Sequence, residues 1–139
     1  MPGAERLVRH LHRHGIPIAI ATSSKKHTFD MKTKDLKDVF KLFHHILICS
    51  DDPEITRGKP DPQSYQVCVA RFDLKPKSMS NVLVFEDAPA GVRAGISAGC
   101  QVVWVPAKDL SLDLAKPTIT LNSLLEFKPE LFGLPAFDT

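Results

Sequence analysis

Apolar residues first recur at helical spacing over residues 3–14, where Leu7, Val8 and Leu11 share one face and Gly15 supplies a stop. Residues 16–21 (IPIAIA) are then wholly apolar, the pattern of a strand buried on both faces of a parallel sheet. Mixed acidic and basic positions predict a helix over about 26–42, and the run HILIC at 45–49 predicts a second strand. Residues 50–62, rich in Asp, Pro and Gly, read as a loop. Pro62 opens a helix whose apolar positions include Tyr65, Val67, Val69, Ala70 and Phe72. A third strand at 81–85 (NVLVF) runs directly into Glu86 and Asp87, and a small-residue helix over 89–99 stops at Gly99. Residues 101–105 predict a fourth strand, 118–121 a short fifth, and 123–132 a terminal helix or turn. Strands alternating with helices predict an α/β domain with a mainly parallel sheet, which binds ligands beyond the carboxyl ends of its strands.

Composition narrows the classes. A chain of 139 residues, 43% hydrophobic and 24% charged, fits one globular domain. The formal charge of +2 is spread along the sequence, so no nucleic-acid partner is expected. Lys25, Lys26 and His27 form a tight basic cluster, either a solvated loop or a phosphate-steering group. No apolar run is long enough to span a bilayer, and the first residues lack the apolar stretch of a signal peptide. Cys49, Cys68 and Cys100 stand far apart in apolar surroundings, as buried reduced thiols do, so no membrane and a cytoplasmic setting are expected. His10 and His14, four apart, could bind zinc, but no neighbouring acid completes the set in sequence and a solvated face is the expectation. Trp104 reads as a core or rim aromatic.

Three polar clusters follow predicted strands. Glu86 and Asp87 end an apolar strand, and one or both suit magnesium, a hard cation that takes oxygen ligands; the alternative is that they cap the helix begun at Pro89. Lys59, held between Gly58 and Pro60, can place a point charge on a phosphate, or can be an ordinary surface lysine. The Thr22 hydroxyl and the Ser23 amide can both donate to a phosphate oxygen, although Ser and Thr are also common helix caps.

In this order IAIATSS, GKPDP and VFEDAPAG resemble motifs two, three and four of the haloacid-dehalogenase superfamily, and the likeness covers essentially the whole chain. The resemblance implies a magnesium-dependent phosphomonoesterase acting on a small phosphorylated metabolite, a nucleoside or sugar monophosphate, with glycerol phosphates as the alternative. It assigns catalytic roles to Thr22 and Lys59, phosphate binding to Thr22, Ser23 and Lys59, and Mg2+ to Glu86 and Asp87. The family's first motif, a buried strand ending in Asp-x-Asp that supplies the nucleophile, has no counterpart here. Asp51-Asp52 has the wrong spacing, and residues 112–114 offer a single acid.

Residues 1–139 therefore read as the C-terminal part of a Rossmann-like three-layer core that lacks its central first strand and carries no cap domain. Losing a nucleophile lowers rates by about 10⁴- to 10⁶-fold, so the chain alone is expected to be nearly inert. The missing strand belongs between those at 16–21 and 81–85. Two sheet edges would then stay unpaired unless they close on each other, recruit a protein partner or drive self-association.

Overall fold

The computed structural model describes residues 2–138. Five strands, β1 (Ala19–Thr22), β2 (His45–Ile48), β3 (Leu83–Glu86), β4 (Gln101–Trp104) and β5 (Ile119–Thr120), all pair in parallel. They form two separate ribbons, β1-β2 and β3-β4-β5. The helices are α1 (Ala4–Arg13), α2 (Lys26–Thr33), α3 (Lys37–Phe40), α4 (Gln63–Ala70) and α5 (Pro89–Ser97). Among the described residues no helix is long and apolar enough to cross a membrane.

Side chains alternate across the strands, as a period of two requires. Val84, Val102 and Trp104 pack with Tyr65 of α4 and Val92 and Ala94 of α5. Val103 and Val105 turn to the other side, against Leu7 and Leu11 of α1 and Leu124 and Phe127 of the C-terminal turns. The result is helix, sheet, helix-and-turns: the expected three layers.

Several boundaries move for identifiable reasons. β1 starts at Ala19 rather than at 16, because Pro17 has no N–H for a ladder and the Ile18 N–H donates to His44 Nδ1 at 3.1 Å. The single helix expected over 26–42 is broken by a 3₁₀ turn at Lys34–Leu36. A straight helix would separate residues 29 and 40 by about 16 Å along its axis. The break instead brings the rings of Phe29 and Phe40 to 5.6 Å, edge to face, and burying aromatic surface outweighs a continuous helix. The terminal 123–132 segment forms two 3₁₀ turns, Leu124–Glu126 and Pro129–Phe132. All three cysteines are buried and unpaired, and Trp104 is fully buried.

The gap between the ribbons is the main departure from a complete sheet. His44 N–H donates to Ile18 O and Cys49 N–H to Thr22 O, so the even-numbered residues of β1 face β2. Gln101 N–H donates to Val82 O and Val105 N–H to Glu86 O, so the even-numbered residues of β3 face β4. The backbone groups of Ala19, Ala21, Leu83 and Phe85 consequently face away from both partners. All four residues line one cavity of about 610 Å³ between β1 and β3. The two edges have not closed on each other.

Candidate active site

Lys59 is the centre of the site. Its ammonium donates to Ala21 O at 3.1 Å and to Glu86 Oε1 at 2.7 Å, joining the carboxyl end of β1 to that of β3. Both side chains of the pair are only 10% exposed, which disposes of the ordinary surface-lysine reading. An ammonium has three N–H donors, so one remains for a ligand.

The loop that carries Lys59 is tied down from α4. Gln63 Oε1 accepts from the Thr56 and Arg57 amides, each at 2.8 Å, and Asp61 Oδ1 accepts from Gln63 N at 2.9 Å. On its other side, Arg71 of α4's C-cap makes a two-pronged pair with Asp52 at 2.7 and 2.9 Å. That guanidinium holds the Asp52 carboxyl below the usual carboxylate range.

Glu86 also accepts from the Tyr65 hydroxyl. Burial, and then the adjacent Glu86 charge, push the Tyr65 phenol far above its ordinary value, so it stays a donor. The Tyr65 ring lies 5.0 Å from Lys59 Nζ, adding a cation–π contact. The Glu86 carboxylate rests against the first turn of α5, where only glycine leaves room: a Cβ on Gly91 would lie 2.0 Å from Glu86 Cδ. Ala88 holds the N-cap position of α5 without a side-chain hydrogen bond, so neither acid caps that helix by a hydrogen bond, although the Glu86 carboxylate lies at its N-terminal turn, where negative charge is favoured.

Asp87 differs from its neighbour. It is exposed, while its backbone carbonyl accepts from the indole N–H of buried Trp104 at 3.1 Å. The two acids thus divide: Glu86 is bonded inward, and Asp87 offers its carboxylate to solvent at the strand's end. At the tip of β1, Thr22 Oγ1 accepts from the Ser24 amide at 3.1 Å, which leaves the Thr22 proton free to donate outward. Ser23 beside it is exposed.

The structure therefore gathers the carboxyl ends of β1 and β3 around Lys59, with Thr22 and Asp87 each one residue beyond a backbone or side-chain contact of this centre. Lys25, Lys26 and His27 are exposed, and Lys26 pairs with Asp30 at 2.8 Å, the solvated reading. Tyr65, Gln63, Gly91 and Trp104 complete the site, although the sequence motifs assign them no role in it. Tyr65 and Trp104 looked like core residues, and nothing in the spacing of Gln63 or Gly91 reveals a tertiary contact.

A haloacid dehalogenase-like hydrolase family model matches residues 1–99. The chain belongs to that family. A probable pseudouridine-5′-phosphatase of Drosophila melanogaster is 49% identical over 99% of this chain and 59% of its own length. The mitochondrial (DL)-glycerol-3-phosphatase 1 of Arabidopsis thaliana is 48% identical over 99% of this chain and 46% of its own. Among solved structures, a haloacid dehalogenase family hydrolase from Deinococcus radiodurans superposes with a TM-score of 0.80 at 25% identity, covering 99% of this chain and 62% of that one. That crystal structure holds phosphate and sodium. This family member spans about half the length of the curated relatives it matches.

Proposed function

We propose that this chain supplies the phosphate clamp and the metal end of a magnesium-dependent phosphomonoesterase. The observation that carries the reading is the Lys59 ammonium, which ties Ala21 O, next to Thr22, to the carboxylate of Glu86. A phosphoryl group placed over this point would take hydrogen bonds from the Thr22 hydroxyl and the Ser23 amide and charge from the third Lys59 N–H. The donors fit magnesium, since all are hard oxygens. Exposed Asp87 would hold the ion, and Glu86, already bonded to Lys59 and Tyr65, would orient that end of the site. When bound, the ion would offset negative charge on the phosphate oxygens.

The attacking carboxylate is not among these residues. The occupant proposed for the β1–β3 slot is an apolar parallel strand ending in Asp-x-Asp, which would hydrogen-bond to Ala19, Ala21, Leu83 and Phe85 and deliver its first Asp beside Lys59. That carboxylate attacks phosphorus, the P–O bond to the alcohol breaks with a proton going to the leaving oxygen, and water then cleaves the aspartyl phosphate. The substrate is a small nucleoside or sugar monophosphate of the pseudouridine 5′-phosphate kind. Glycerol 3-phosphate is the alternative, because the probable pseudouridine-5′-phosphatase and the (DL)-glycerol-3-phosphatase are similar to this chain to nearly the same degree, at 49% and 48% identity.

Hydrolysis of pseudouridine 5′-phosphate and of glycerol 3-phosphate, in magnesium, tests this on the chain alone and on a version extended upstream with an Asp-x-Asp strand. The extended form is expected to turn over one of them and the chain alone neither. Lys59→Ala and Asp87→Asn should each lower the extended form's rate by about 10²-fold or more. An extended, folded form that hydrolyses neither ester overturns the proposal.

The open slot also favours a second reading for the chain alone, a non-catalytic binder of phosphate esters and magnesium. Calorimetry should then show binding of a phosphate ester in magnesium that Asp87→Ala abolishes, and no heat in wild type would exclude it.

A further inference from the structure

We infer that His10, His14 and Asp138 form a site for a transition-metal dication of the Zn2+ type, separate from the phosphate site. The sequence places two histidines one turn apart and no acid near them; the fold supplies the acid. The C-terminal residues return across α1, with the Phe137 ring 4.7 Å from the His10 ring and the Arg6 guanidinium 3.8 Å over Phe137. One ligand-type atom from each of His10, His14 and Asp138 then lies within 4.8 Å of the others. The solvated face expected for His10 is thereby corrected: His10 is fully buried.

The state of the His10 ring is the independent observation. Nε2 lies 2.7 Å from Pro135 O, and a carbonyl can only accept, so Nε2 carries a proton and in the neutral ring Nδ1 carries the lone pair. That Nδ1 is buried and has no hydrogen-bond partner. Buried polar atoms are nearly always satisfied, and a histidine with one nitrogen donating to a carbonyl and the other free is arranged as metal-bound imidazoles are. Two imidazole nitrogens and one carboxylate suit Zn2+, with a water in the fourth position, and suit Mg2+ poorly.

Tetrahedral zinc with bonds near 2.0–2.1 Å needs its ligand atoms roughly 3.4 Å apart, so separations that reach at most 4.8 Å must contract by no more than about 1.4 Å. His14 and Asp138 are exposed and can make that movement. The competing Arg13–Asp138 pair, at 3.6 Å and open to solvent, opposes it only weakly. A bound ion would fasten the C-terminal tail to α1.

Titration of the full chain with Zn2+, and with Co2+ followed by visible absorption, tests this. One equivalent is expected to bind with an absorption spectrum of tetrahedral Co2+. His14→Ala and Asp138→Asn, both at exposed positions, should each weaken binding by about tenfold or more, while His12→Ala should not. Zinc should also slow carboxypeptidase removal of the tail in wild type and not in His14→Ala. Absence of stoichiometric binding, or equal binding by wild type and His14→Ala, overturns the inference.

Discussion

Gly91 occupies a point at which the Glu86 carboxylate and the α5 backbone meet with no space between them. Alanine there would force Glu86 off Lys59 and Tyr65, leaving a mostly buried charge pair broken. Breaking such a pair by losing one partner destabilises by about 3–5 kcal/mol. Gly91→Ala is therefore expected to lower the unfolding free energy measured by urea denaturation by an amount in that range and to remove the site's ligand response. Gly58→Ala, where a Cβ would meet nothing within 4 Å, serves as the control and should leave the midpoint nearly unchanged. The thiols give a second prediction. Burial raises Cys68 to about 11, with the Cys49 charge adding to it, and burial alone raises Cys100 to about 11, against an ordinary 9.0. Below pH 9 both folded and unfolded thiols are protonated and the full stability is present. As pH rises from 9 towards 11 the unfolded thiols ionise first, so stability falls through that window. Thermal melts from pH 8 to 11 should show this decline, and a Cys68→Ala/Cys100→Ala double variant should show a shallower one.

The elements differ in how firmly their environment fixes them. α5 lies close on β3 and β4 because Gly95, one turn beyond Gly91, lets Val102 Cγ2 approach to 2.7 Å of where a Cβ would be. α2 has no buried residue, so its end is set by the aromatic contact of Phe29 with Phe40 and not by a core face. β1 and β3 are the exposed case. Each presents two residues' unpaired N–H and C=O groups to an apolar slot, and one of those carbonyls, Ala21 O, is already taken by Lys59. Open edges of this kind recruit other strands. Sedimentation of the chain alone should show association that grows with concentration, and a version carrying an upstream apolar strand should sediment as a monomer. A chain that stays monomeric at high concentration would show that the slot does not capture strands.

For the whole molecule, much is legible in the sequence. The apolar runs at 16–21, 45–49, 81–85 and 101–105 located the strands within a few residues, because a strand covered on both faces leaves no polar positions to confuse the pattern. Thr22, Lys59, Glu86 and Asp87 were legible for a related reason: each follows a buried strand or sits in a Gly–Pro loop, where a polar residue stands out. Local patterning therefore determined the α/β class and the strand positions, and marked the polar residues that follow the strands. Only the tertiary structure decided which of those residues are joined, that Glu86 turns inward to Lys59 and Tyr65 while Asp87 faces solvent, and that Asp138 comes beside His10. Contacts between residues 27 or 125 positions apart depend on how helices and tail close over the sheet, and no local period in the chain encodes that closure.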